Sequence, residues 1–118
     1  MEYSQNKQKS NYNLPNTIKN ITFFFIKKYY LKYLEDNKLN TIPDTELKLV
    51  VSNLYNEKQT ELKNYIRGTM RKNFPNYDQD FTLKTGTEQI ILEMFEDDEF
   101  SKNRLILEIK NYQDGKKH

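Results

Sequence analysis

Between Pro43 and Phe74 the apolar residues recur twice at the spacing of an α-helix, and a short polar break separates the two runs. In the first run Leu47, Val50, Val51, Leu54 and Tyr55 fall at i, i+3, i+4, i+7 and i+8, one continuous stripe of an amphipathic helix. Pro43-Asp44 suits its start, because proline is favoured in a first turn and an acid there faces the positive end of the helix dipole. Asn56-Glu57-Lys58-Gln59 breaks the pattern. Thr60 then reads as an N-cap, with Glu61 in the first turn of a second helix. Leu62, Tyr65, Ile66 and Met70 give that helix its buried stripe, and Phe74-Pro75 ends it, since a residue before proline is pushed out of the helical region. The spacing predicts that Val51, Leu54, Ile66 and Met70 pack on one another. Lys63, Arg67 and Arg71, at i, i+4 and i+8, share a different face and form a basic ridge, which Lys72 extends. Solvation alone also accounts for such a face.

Around this pair the chain is less regular. Met1 to Asn16 is rich in Asn, Gln, Lys and Ser, reads as a mobile polar arm, and lacks the apolar core of a secretory signal. Thr17 to Asp36 is the most apolar stretch. Ile18, Ile21, Phe25 and Tyr29 mark one helical stripe, and Phe23, Ile26, Tyr30, Tyr33 and Leu34 a neighbouring one, which predicts the central helix. A buried strand over 21–26 is the alternative, because Phe, Tyr and Ile also favour strands. The aromatics beside Lys27 and Lys28 could line a membrane-surface helix, but core packing explains them without a membrane. The apolar run is too short to span a bilayer, which takes about 20 residues.

Pro75 to Gly86 reads as a loop anchored by Phe81 and Leu83. Asp78 and Asp80 have calcium-loop spacing but lack the glycine and distal glutamate of an EF-hand. Thr85-Gly-Thr-Glu88 fits a capping box before Ile90, Ile91, Met94 and Phe95. Glu96 to Glu99 reads as a solvated acidic turn, and Ser101 as the start of a last helix with Leu105, Ile109 and Tyr112 inward. A strand over 105–110 is again the alternative, and 113–118 reads as a tail.

The expected fold is therefore an all-α single domain of four to five helices over residues 17–112, with an α+β version held open. Of the chain's 118 residues none is Cys and the sole His is His118, which leaves no thiolate or histidine chemistry within that domain. No phosphate loop or nucleophile motif is present, so the chain is expected to be non-enzymatic, with no cofactor and no metal. Lysines greatly outnumber arginines, and Asn, Ile and Tyr are abundant, as in proteins of AT-rich genomes. Charge is uneven: residues 1–75 carry a net +6 and residues 76–118 a net −4.

Three segments, YLEDNKLNTIP, ELKLVVSNLY and QTELKNYIRGTMRKN, follow one another between Tyr30 and Asn73. Their order resembles the DEK C-terminal domain family, small helical modules of chromatin-associated proteins. Within the last segment the family-like pattern is Thr60-Glu61, Lys63, Tyr65-Ile66, Arg67 and Thr69. The turn at Asn56 to Gln59 is shorter than the family's. The resemblance implies chromatin or DNA association through the last of these helices, with Lys63, Arg67, Arg71 and Lys72 on duplex DNA and a nuclear or viral-factory location. Helix-face lysines and arginines give phosphate affinity without reading sequence. The leading expectation is thus a nucleic-acid or chromatin-associated module. The other is a protein–protein adaptor or structural subunit of a complex, which an exposed aromatic patch from the first helix would favour. If the ridge docks nucleic acid, its cations should be free of internal acids.

Overall fold

In the computed structural model, which describes residues 13–115, those residues form five helices and no strand: α1 (Leu14–Asn37), α2 (Asp44–Glu57), α3 (Gln59–Asn73), α4 (Phe81–Glu96) and α5 (Asp98–Gly115). The all-α expectation holds, and both strand alternatives give way to helix. The boundaries shift outward. Leu14 to Asn16, assigned to the polar arm, already belong to α1, with Pro15 in its first turn. Met1 to Tyr12 of that arm, and Lys116 to His118, lie outside the described residues.

α1 is the central helix. Ile18, Ile21, Thr22, Phe25, Ile26, Tyr30 and Leu34 are buried along it. Two adjacent stripes merge here into one wide apolar face, so α1 packs against all four other helices. Its end is a Schellman motif: Lys38 turns left-handed at φ 56° and donates to Glu35 O, while Leu39 N donates to Leu34 O at 2.8 Å. α1 and α5 run side by side in the same direction, since Ile18 and Ser101 line one groove while Tyr30 and Gln113 are hydrogen-bonded. α2 crosses α5 the other way, with Asp44 beside Lys110 and Tyr55 beside Ser101.

α2 and α3 are joined by the single residue Lys58, whose N–H closes α2 on Leu54 O and whose carbonyl opens α3 to Leu62 N. Thr60 is therefore inside α3 rather than its cap. The joint turns the two helices onto different neighbours: α2 packs mainly on α5 and α1, and α3 on α1. Val51, Ile66 and Met70 are fully buried in one shared core, and Leu54, only partly buried, packs against it.

The predicted loop from Pro75 to Gly86 is shorter in the structure. A turn carries Tyr77 into the core, and Asp80 caps α4 by accepting from Leu83 N at 3.0 Å. Asp outranks Thr as an N-cap, which is why the helix begins five residues before the Thr85 box. Phe81, expected as an anchor, is 81% exposed at the helix start, while Leu83 is buried as expected. α5 likewise begins at Asp98, and Ser101 is buried within it.

The segment read as a tail holds a keystone. Gln113 is buried; its Nε2 donates to Ile42 O at 2.9 Å, and its Oε1 accepts from Ile42 N at 2.8 Å and from Tyr30 Oη at 2.7 Å. One side-chain amide thus satisfies both backbone groups of the α1–α2 connector and ties them to the central helix.

Candidate functional site: the basic ridge and the seam between α1 and α5

α3 presents the predicted cations on one side, and the neighbouring elements reach them. Arg67 grips Glu88 of α4 with two parallel bonds, Nε to Oε2 at 2.8 Å and Nη2 to Oε1 at 2.9 Å, and its Nη1 donates to Asn64 at 3.3 Å. This fork geometry is the strong form of an arginine–carboxylate pair. The Arg67 bond holds the Glu88 carboxyl below the usual carboxylate range, against a smaller upward push from burial. Arg71 donates through Nε to both oxygens of Asp78 at 3.1 Å and lies over the buried Tyr77 ring. The Lys63 ammonium stands 4.9 Å from the Phe95 ring centroid and is half-buried. Lys72 is exposed, and among the described residues no acid pairs with it.

The condition that the ridge cations be free of internal acids is therefore not met at Arg67 and Arg71. The acids come from Asp78 and Glu88, not from the Glu96–Glu99 turn. Asp78 follows Arg71 across a proline turn, so a reading of that turn could have raised it. Glu88 had no local signal, because its three-residue offset from Thr85 assigned it to a cap.

A second surface runs along the seam where α1 and α5 lie side by side. At one end a groove of about 450 Å³ opens between the starts of α1 and α5 and the end of α4, floored by Ile18, Ile90 and Met94 and edged by Lys19, Phe100 and Arg104. Its third edge, on α4, is acidic, with Glu93, Glu96 and Asp97. At the other end three aromatics cluster. Phe23 meets Phe24 edge-on at 5.7 Å and Tyr112 of α5 at 6.5 Å. The Lys27 ammonium lies over all three rings, closest to Tyr112 at 4.4 Å. Phe24 is 56% exposed and Phe100 63%. Leu107, also exposed, shares the outward side of α5 with Phe100 at a spacing of two turns.

Between the two ends sit Arg104 and Glu108, one turn apart. The Arg104 Nε and the Glu108 Oε1 are each buried and have no hydrogen-bond partner among the described residues. Leaving such a group unpaired costs about 1–3 kcal/mol. Burial pushes the Glu108 carboxyl above its ordinary range, while the positive charges of Arg104 and Lys19 pull it back. Helical spacing assigns the α1 aromatics to the core and leaves Phe24 outside both stripes; only the pairing of α1 with α5 reveals which rings stay outside.

No protein-family model, curated protein or solved structure matches the chain. No helix among the described residues is long and apolar enough to cross a membrane. Among those residues no group of three or more His, Cys, Asp or Glu side chains could hold a metal ion.

Proposed function

We propose that this chain is a non-enzymatic protein-interaction module that docks through the seam between α1 and α5. The observation that carries the reading is the aromatic cluster of Phe23, Phe24 and Tyr112, partly exposed beside the apolar groove at Phe100. Aromatic and arginine side chains in a half-desolvated strip are the composition of interface hot spots. The ridge on α3 supports nucleic-acid docking less well, because two of its cations already have carboxylate partners. An arginine that would grip a phosphate must first release its acid.

Site-specific photo-crosslinking tests the proposal. A photoreactive phenylalanine analogue is placed at Phe24 or Leu107 on the seam, and at Leu49 or Phe81 as exposed apolar controls elsewhere. In an extract of the source cells, one discrete adduct is expected from the seam positions and not from the controls. Equal adducts from all four positions refute the seam as the docking site. Duplex DNA binding by fluorescence anisotropy at low salt, lost on combined Lys63→Gln, Arg67→Gln and Arg71→Gln substitution, would restore the nucleic-acid reading.

A further inference from the structure

We infer that the seam receives an amphipathic helix of a partner protein, bearing two apolar anchors with a carboxylate between them that pairs with Arg104. The inference rests on the seam being the docking surface and names what fits it. The two apolar ends are set apart by the helices that carry them. From Ile18 to Phe24 the rise along α1 is about 9 Å, and from Phe100 to Tyr112 along α5 about 18 Å. Anchors two to three turns apart on one helix match that interval, the spacing used when a helix lies in a groove. The groove at the starts of α1 and α5 and the ring cluster of Phe23, Phe24 and Tyr112 further along the same two helices are the surface offered.

Charge fixes the chemistry of the middle. Lys19 and Arg104 edge the groove on its α1–α5 side, Lys27 stands over the rings further along, and Glu108 feels the charges of Arg104 and Lys19. The Arg104 guanidinium is held beside the Phe100 ring, 5.9 Å from its centroid, with Nε unpaired. Arg104 lines the groove, and a guanidinium there is matched by a carboxylate, which can take two parallel bonds from its planar donor fork. The acidic wall of α4 stands on the other edge of the groove and repels the same group there. A partner carboxylate is therefore steered to the Arg104 side.

A double-substitution cycle tests this with the full chain. Two fluorescent stapled helical peptides carry Phe at positions about seven residues apart. One has Glu midway between them and the other Gln. Each is titrated by anisotropy against wild type, Arg104→Gln and Phe24→Ser, with circular dichroism confirming that each variant is folded. Lys19→Gln replaces Arg104→Gln if the latter fails to fold. The Glu peptide is expected to bind wild type about tenfold more tightly than the Gln peptide, the value of one charge-assisted hydrogen bond. That preference should vanish in Arg104→Gln, while Phe24→Ser weakens both peptides. Equal binding of the two peptides to wild type, weakened by Phe24→Ser, overturns the carboxylate while the seam reading stands. Binding untouched by Phe24→Ser refutes the seam itself. Binding of neither peptide overturns the inference. A concentration-dependent dimer in sedimentation, lost in Phe24→Ser, also overturns it by making a second copy the occupant.

Discussion

Replacing Gln113 probes a buried amide that makes three hydrogen bonds. Gln113→Leu keeps the approximate volume and removes the amide. It leaves Ile42 N–H, Ile42 C=O and the Tyr30 hydroxyl in a site that is buried on all sides. Each orphaned group costs about 1–3 kcal/mol, and partial relaxation toward water brings the expected total to about 3–5 kcal/mol. A domain of this size has about 5–15 kcal/mol in all, so the variant should be close to the edge of folding. Urea titration followed by helical ellipticity reads the effect as a lower midpoint with an unchanged slope. Tyr30→Phe removes one of the two donors to Oε1 and should cost only about 1 kcal/mol. Gln113→Glu separates hydrogen bonding from shape. A carboxylate still accepts from Ile42 N and Tyr30 Oη but faces Ile42 O without a proton to give. The introduced carboxyl should therefore bind its proton more tightly in the folded state than in the unfolded chain. Its stability is fully present below the ordinary carboxylate pKa and lost as pH rises through the raised folded value. A Gln113→Leu midpoint within experimental scatter of wild type, or a Gln113→Glu variant indifferent to pH, would refute the keystone.

Three further outcomes are expected. Gly68 sits in mid-α3 with open space where a Cβ would go, so Gly68→Ala should stabilise by about 1 kcal/mol, visible as a higher melting temperature. Lys38 holds a left-handed φ of 56° at the end of α1, and Lys38→Gly should relieve that strain for a net gain of about 0.5–1 kcal/mol in the same melt. Glu88 and Glu108 should pull the pH profile of stability in opposite senses. The depressed Glu88 carboxyl contributes stability above its unfolded pKa that is lost as pH falls through the folded value, so Glu88→Gln should flatten the acid limb. The raised Glu108 carboxyl is most favourable below its unfolded pKa and loses that advantage as pH rises, so Glu108→Gln should gain on wild type between mildly acidic and neutral pH.

Periodicity carried most of the fold. The stripes of α1 and α2 were legible because a wide apolar face repeats over several turns, and Val51, Ile66 and Met70 were placed inside on spacing alone. Boundaries were less legible where two caps competed, as Asp80 and Thr85 did for α4. What spacing could not carry was which faces meet. A residue on the edge of a stripe, such as Leu54 or Phe24, is core or surface according to the helix beside it. The pairing of Arg67 with Glu88 and of Gln113 with Ile42 spans distant parts of the chain, and no local pattern encodes either. The ridge was therefore visible as charge, and its neutralising acids were not; the seam was visible as aromatics, and its exposure was not.

The amide of Gln113 also sets the order in which this molecule can be finished. Its bonds join residues 71 and 83 positions apart, whereas most contacts in a helical domain are local. While the chain is being synthesised, α1 to α4 can collapse on one another with Ile42 still wet or unpaired. Only when the last turn of α5 has left the ribosome does the connector gain its partners, and loop closure over most of the chain must precede that gain. The aromatic seam is completed by the same helix at the same moment. Until the last turn of α5 is in place, Phe23 and Tyr30 of α1 lack the ring and the amide that cover them, so that turn is the piece on which both the connector and the seam depend.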